Sequence, residues 1–214
     1  MKPILELHHV GYQVEQNQIL QDISLTVATQ DYITITGPSG SGKSTLLRII
    51  ASLLTATQGD ILFKDQNIAE MDPIQYRRQV SYCFQQPTLF GKTVADNLDF
   101  PFQIRQTTPD VEKQKAALKV VGLPENYLDK RITELSGGEK QRVAMIRNIM
   151  YVPDILLLDE VTVGLDEENK RIVNELIEHF HKDHQVTILS ITHDAAELKQ
   201  ASRLLTITKG RLEA

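Results

Sequence analysis

Gly37-Pro38-Ser39-Gly40-Ser41-Gly42-Lys43-Ser44, followed by Thr45, fits the pattern G-x-x-x-x-G-K-[ST] and limits the chain to folds able to present such a loop. The β-branched run Ile33-Thr34-Ile35-Thr36 leads into it, and a helical stretch carrying Leu46, Leu47, Ile49 and Ile50 begins near Lys43. Strand, loop and helix in that order give the pattern its physical meaning. The glycines let the backbone curl until successive N–H groups point at phosphate oxygens, and the helix N-terminus adds a favourable dipole. Lys43 is placed to reach the β and γ phosphates of a nucleotide, and the Ser44 hydroxyl to ligate Mg²⁺. The loop alone does not choose between a kinase, a GTPase and an ATPase motor.

The remaining sequence supplies a sheet for that loop. Ile23, Leu25 and Val27 alternate with Ser24, Thr26 and Ala28, after the run Val10 to Val14, which predicts paired strands in an antiparallel N-terminal β subdomain. Short apolar runs at 61–63, 80–84, 155–159, 186–191 and 204–208 read as buried strands with helical stretches between them. That succession predicts an α/β fold whose core sheet is mostly parallel. Residues from about 93 to 133 have helical composition and no convincing strand, and are expected to form a helical lobe inserted into a core of 1–92 and 134–214. With 214 residues and no repeat, the chain is read as a single domain.

A formal net charge of -5 gives no basic footprint, so nucleic acid is excluded as a main partner. Cys83 is the only cysteine, and a chain without a disulfide fits the reducing cytoplasm. Glu6 interrupts the N-terminus before an apolar run of signal-peptide length can form. The longest apolar runs, such as Ile155 to Leu158, fall far short of the roughly 18 residues a membrane span needs. Any membrane role must therefore come through a partner.

Leu135-Ser136-Gly137-Gly138-Glu139-Lys140-Gln141-Arg142 resembles the LSGGQ-type signature of ABC ATPases, with Glu139 where glutamine is commoner. In that family the segment binds the γ-phosphate of a nucleotide held by the opposite subunit of a head-to-tail dimer. The residue chemistry suits this: Ser136 can cap a helix, Gly137 and Gly138 allow close approach, and the helix N-terminus favours an anion. An ordinary capping box of Ser136 and Glu139 would explain the spacing equally well.

The resemblance extends to the other motifs in family order. Ile155-Leu156-Leu157-Leu158-Asp159-Glu160 is similar to a Walker B strand, which implies that Asp159 holds Mg²⁺ and Glu160 acts as general base on the attacking water. His193, after the strand 186–191, resembles the switch histidine near the γ-phosphate. Gln85, with its neighbour Gln86 as the alternative, resembles the Q-loop glutamine that senses Mg²⁺ and water, and Tyr12 the aromatic that stacks on adenine. The implied fold is that of a P-loop ABC ATPase binding ATP with Mg²⁺. Val161-Thr162-Val163-Gly164-Leu165-Asp166 stands where the family commonly has Pro-Thr-Ser-Ala-Leu-Asp. Leu165 and Asp166 keep the end of this D-loop beside the nucleotide, whereas Val163 lacks the hydroxyl a serine would bring.

Three features are read as structural. His179, His181 and His184 suit a solvated helix end, Cys83 a small buried hydrophobe, and Glu167 and Glu168, in the acidic run that begins at Asp166, a helix first turn that needs no catalytic role for them. Leu89, Phe90, Phe100, Pro101 and Phe102 fall where the resemblance puts a groove for the coupling helix of a membrane-spanning permease. The stretches 80–91 and 97–105 further resemble ATPase subunits of iron-export ABC systems. The expectation is a cytoplasmic subunit, peripheral on the membrane, that pairs with a second ATPase subunit. A soluble ABC ATPase of iron-sulfur assembly is the alternative. Heptad-bearing heads are excluded because no long heptad segment separates the phosphate loop from residue 135.

Overall fold

The computed structural model describes residues 2–213, which divide into two compact units. The first comprises the chain up to residue 82, residues 153–160 and the chain from residue 185, and the second residues 83–152 and 161–184.

The first unit contains two sheets. β1 (Pro3–Val14) and β2 (Asn17–Ala28) pair antiparallel, and β1 also pairs antiparallel with β4 (Gln58–Phe63), which carries the short β5 (Gln66–Asn67). Ile23, Leu25 and Val27 are buried while Ser24 and Thr26 face solvent, so the period-two pattern sets which face of β2 packs inward. The run at 61–63 does form a strand, but in this antiparallel sheet and not in the parallel core. Periodicity identifies a strand without naming its partner.

The second sheet is the parallel core, built from β3 (Tyr32–Thr36), β6 (Val80–Cys83), β7 (Ile155–Asp159), β8 (Thr187–Ile191), β9 (Arg203–Thr208) and β10 (Arg211–Leu212). Their order is β10-β9-β3-β8-β7-β6. β3 runs parallel to β8 and β9, and β7 parallel to β8, while β10 turns back antiparallel to β9. All five residues of β7 and of β8 are buried, as expected for strands covered on both faces. Helix α1 (Lys43–Ile50) follows β3 and buries Leu46, Leu47, Ile49 and Ile50, and α2 (Pro73–Gln79) starts from an Asp72 cap that accepts from the Gln75 amide. Because β3, β7 and β8 are parallel neighbours, their C-terminal ends share one edge of the sheet, where open α/β sheets bind ligands.

The second unit is helical. α3 (Val94–Gln103) starts with a reciprocal box in which Thr93 caps the Asp96 amide and Asp96 accepts from the Thr93 amide. α4 (Val111–Val120), α5 (Gly137–Ile149) and α6 (Glu167–Asp183) start on Asp110, Ser136 and Asp166, whose side chains accept from amides three residues on. Asn97 is buried and fully used: Nδ2 donates to the carbonyls of Phe90 and Thr93, and Oδ1 accepts from the Phe90 amide and Arg147. A final helix, α7 (Ala195–Gln200), belongs to the first unit.

Candidate nucleotide site

At the shared edge of the parallel sheet, β3 ends in the loop Gly37 to Gly42 and α1 begins at Lys43. Gly37 has φ 137°, and a Cβ there would lie 2.0 Å from the Ile207 carbonyl oxygen, so only glycine fits beside β9. Gly42, at φ 103°, leaves no room for a Cβ against Leu20 and the Ile19 carbonyl. The loop is braced from the C-terminal turn as well, where the Gly210 amide donates to the Ser41 carbonyl at 3.1 Å.

Lys43 is buried, and its ammonium donates to the carbonyls of Gly37 at 2.8 Å and Pro38 at 2.9 Å. Burial pulls its pKa down, and the carboxylates of Glu160 and Asp159 push back. The Ser41 hydroxyl is buried without a partner. A buried cation parked on loop carbonyls beside an orphaned hydroxyl is a site suited to an anion.

Asp159 ends β7 with both carboxylate oxygens engaged. Ser44 Oγ donates to Oδ1 at 2.8 Å, and the Tyr82 hydroxyl donates to Oδ2. Arg48 Nε reaches the Tyr82 oxygen at 3.4 Å, so α1, β6 and β7 are tied through one short network. Burial first, and then the hydrogen bond to Asp159, pushes the Tyr82 phenol well above its ordinary pKa, which keeps it protonated as a donor. Neither Tyr82 nor Arg48 stands out in the sequence. An aromatic on a buried strand reads as core, and only the placement of β6 beside β7 gives it a role.

Glu160 follows in a left-handed backbone conformation, φ 52°, with its amide donating to the Ile191 carbonyl at 3.1 Å. Holding a non-glycine residue there costs about 1–2 kcal/mol, and such strain concentrates at functional positions. His193 Nε2 lies 3.4 Å from Glu160 Oε1, the carboxylate being 19% and the imidazole 45% exposed. Tyr12 is half-buried on β1 opposite Leu20, the residue a Cβ at Gly42 would strike.

Gln85, Ser136 to Glu139 and Asp166 belong to the helical unit. Gln85 is exposed just past β6, which ends at Cys83 and not at Phe84. Ser136 and Glu139 form a complete capping box. Gly138 leaves no space for a side chain against Asn169, whose amide group donates to Asp166 Oδ2 at 2.7 Å. Val163 is exposed, with 52% of its surface accessible. Phe90 and Phe100 are exposed and meet edge to face with centroids 5.1 Å apart, while Pro101 and Phe102 are buried. Cys83 is buried, its thiol pushed up to about 11 by desolvation. His179 pairs with Asp183 at 2.6 Å on the exposed end of α6, and no cluster of metal-ligating side chains occurs among the described residues.

A phosphate-type loop between a parallel strand and a helix, with the acid at the end of a neighbouring strand bonded to Ser44, defines a P-loop nucleotide-binding protein. The chain belongs to the ABC transporter family, whose model matches residues 20–163, and it is an ATP-hydrolysing, ATP-binding subunit of that family. It is 47% identical over 205 residues to the probable iron export ATP-binding protein FetA of Escherichia coli K12, covering 96% of this chain and 91% of that one. It is 34% identical over 221 residues to the energy-coupling factor transporter ATP-binding protein EcfA1 of Streptococcus sanguinis, covering 100% of this chain and 79% of that one. Among solved structures, a dimeric ATP-binding cassette in a post-hydrolysis state bound to ADP and Pi matches with a TM-score of 0.88 at 26% identity, covering 98% and 97% of the two chains.

Proposed function

We propose that this chain powers the export of a metal ion, iron, by docking on a membrane-spanning permease and closing head to tail against a second ATPase subunit. The observation that carries the iron assignment is the 47% identity, across 96% of this chain, to a relative named for iron export. Among the described residues no helix is long and apolar enough to cross a membrane, which suits a subunit held peripherally on the cytoplasmic face by its partner. The exposed pair Phe90 and Phe100 supplies apolar surface for the permease's coupling helix.

In this mechanism the amides of Gly37 to Thr45 wrap the phosphates and Tyr12 stacks on the adenine. Ser44 and Asp159 would hold Mg²⁺. Two oxygen donors meeting at 2.8 Å suit such a hard cation. When bound, the ion neutralises charge on the phosphate oxygens. Lys43 exchanges the Gly37 and Pro38 carbonyls for the β and γ phosphates. Glu160 takes a proton from the attacking water while His193 positions that water and the γ-phosphate. Ser136 to Glu139 and Asp166 complete the nucleotide site of the opposite subunit.

Deleting the gene and measuring cellular iron and metal resistance tests the substrate. Raised iron and lowered resistance are expected, and unchanged values of both overturn iron export. Purification from detergent-solubilised membranes tests the partner: a co-eluting multi-span protein is expected, whereas soluble partners alone favour the assembly-factor alternative.

A further inference from the structure

The segment that caps α5 carries a negative charge where a neutral glutamine is commoner in the family. Glu139 occupies the third position of the helix, and its Oε2 accepts from the Ser136 amide at 2.7 Å. A carboxylate there satisfies the helix end and cancels part of the positive potential that would attract a phosphate. Left uncompensated, it would set a like charge against an incoming nucleotide.

The same carboxylate is not left alone. Tyr127 donates its hydroxyl to Glu139 Oε1 at 2.8 Å, and Lys130 Nζ lies 3.4 Å from Oε1 and 3.5 Å from Oε2. Lys130 is also held over the Tyr127 ring, 3.9 Å from its centroid. Both partners of the ion pair are mostly covered, with side chains 24% and 16% exposed, so the pair is less screened than an ordinary surface bridge. Burial raises the Glu139 pKa, but the Ser136 amide, Tyr127 and Lys130 outweigh it and hold the carboxyl below its ordinary value.

We propose that Lys130 is a positioning and charge-compensating residue for the phosphate-binding end of α5. It neutralises Glu139 so that the nucleotide of a second copy meets a helix cap of no net charge. The inference rests on the reading that Ser136 to Glu139 complete the opposite subunit's site. It assigns a function to a lysine outside the motif and explains how this chain accommodates glutamate within it.

The experiment uses the full chain carrying Glu160→Gln, with ATP-driven dimerisation followed by light scattering and ATP affinity of the monomeric site measured in parallel. Lys130→Met is expected to raise the ATP concentration for half-maximal dimer about tenfold, and Lys130→Arg less than about twofold, since the arginine keeps the charge. In a Glu139→Gln background the same Lys130→Met change is expected to shift it by less than about twofold. Raising salt should shrink the Lys130→Met effect. An equal penalty with the native Glu139 and in the Glu139→Gln background overturns the proposal and leaves Lys130 a contact of another kind. A Glu160→Gln parent that stays monomeric in ATP overturns the sandwich reading and this inference with it. A parent that dimerises while Lys130→Met has no effect overturns this inference alone.

Discussion

Tyr82 donates its hydroxyl to Oδ2 of Asp159, and so fixes the carboxylate whose other oxygen faces Ser44 at 2.8 Å. A phenol is a neutral donor that orients the acid without supplying a competing positive charge beside the proposed Mg²⁺ site. Tyr82→Phe keeps the ring in its place on β6 and removes only that donor. Hydrogen bonds to charged groups contribute about 1.5–3 kcal/mol, so ATP affinity in the presence of Mg²⁺ should fall about tenfold. Affinity in EDTA should stay near wild type. Calorimetric titration under both conditions checks this; equal losses would reduce Tyr82 to a packing residue.

Why Tyr82 escapes a reading of the sequence is a matter of topology. The runs ending in Thr36, Asp159 and Ile191 are legible because buried strands need short stretches rich in apolar and β-branched residues, and the motif residues cluster at their ends. Which strands lie side by side is set by crossovers that leave no local trace. The sheet order brings β6 next to β7, and with it Tyr82 and Arg48 to Asp159. The left-handed backbone of Glu160 is equally silent, since nothing in the residue type demands it. Capping is the opposite case. Ser136 and Glu139 announce a helix start through their spacing, and the box forms as that spacing predicts.

Gly37 and Gly40 provide a contrast in what a glycine is for. At Gly37 a Cβ would strike the Ile207 backbone carbonyl at 2.0 Å, whereas at Gly40 it would meet nothing within 4 Å. Gly40→Ala should therefore bear only the cost of its left-handed φ of 74°, about 1–2 kcal/mol. Gly37→Ala must also push β9 away, so its melting temperature should fall about 10 °C, against a few degrees for Gly40→Ala. Thermal unfolding of both variants measures the difference, and equal shifts would contradict the close approach.

Asp96 links acid sensitivity to the start of α3. It accepts from the Lys92 amide at 2.6 Å and the Thr93 amide at 2.9 Å, and these bonds, Lys92's first, hold its carboxyl below the ordinary 3.8. A depressed acid contributes stability above its unfolded pKa and loses it as pH falls through the folded one. Asp96→Ala should thus lower the melting temperature at about pH 7, with the gap to wild type narrowing as pH drops below about 3.8. A gap that is constant across melting curves from neutral to acid pH would rule out the ionised cap as its source.

Glu160 is the residue to which the proposed mechanism gives the proton of the attacking water. Its carboxylate stands 3.4 Å from His193, just past the end of β7 and adjacent in sequence to Asp159. Glu160→Gln preserves the size of the side chain while removing the proton acceptor. Loss of a general base typically costs about 10²–10⁴-fold in rate, so hydrolysis should drop by at least about a hundredfold while ATP still binds. The bound, uncleaved nucleotide should then hold two copies together as a dimer on size exclusion. Phosphate release at the wild-type rate would remove Glu160 from the role of base.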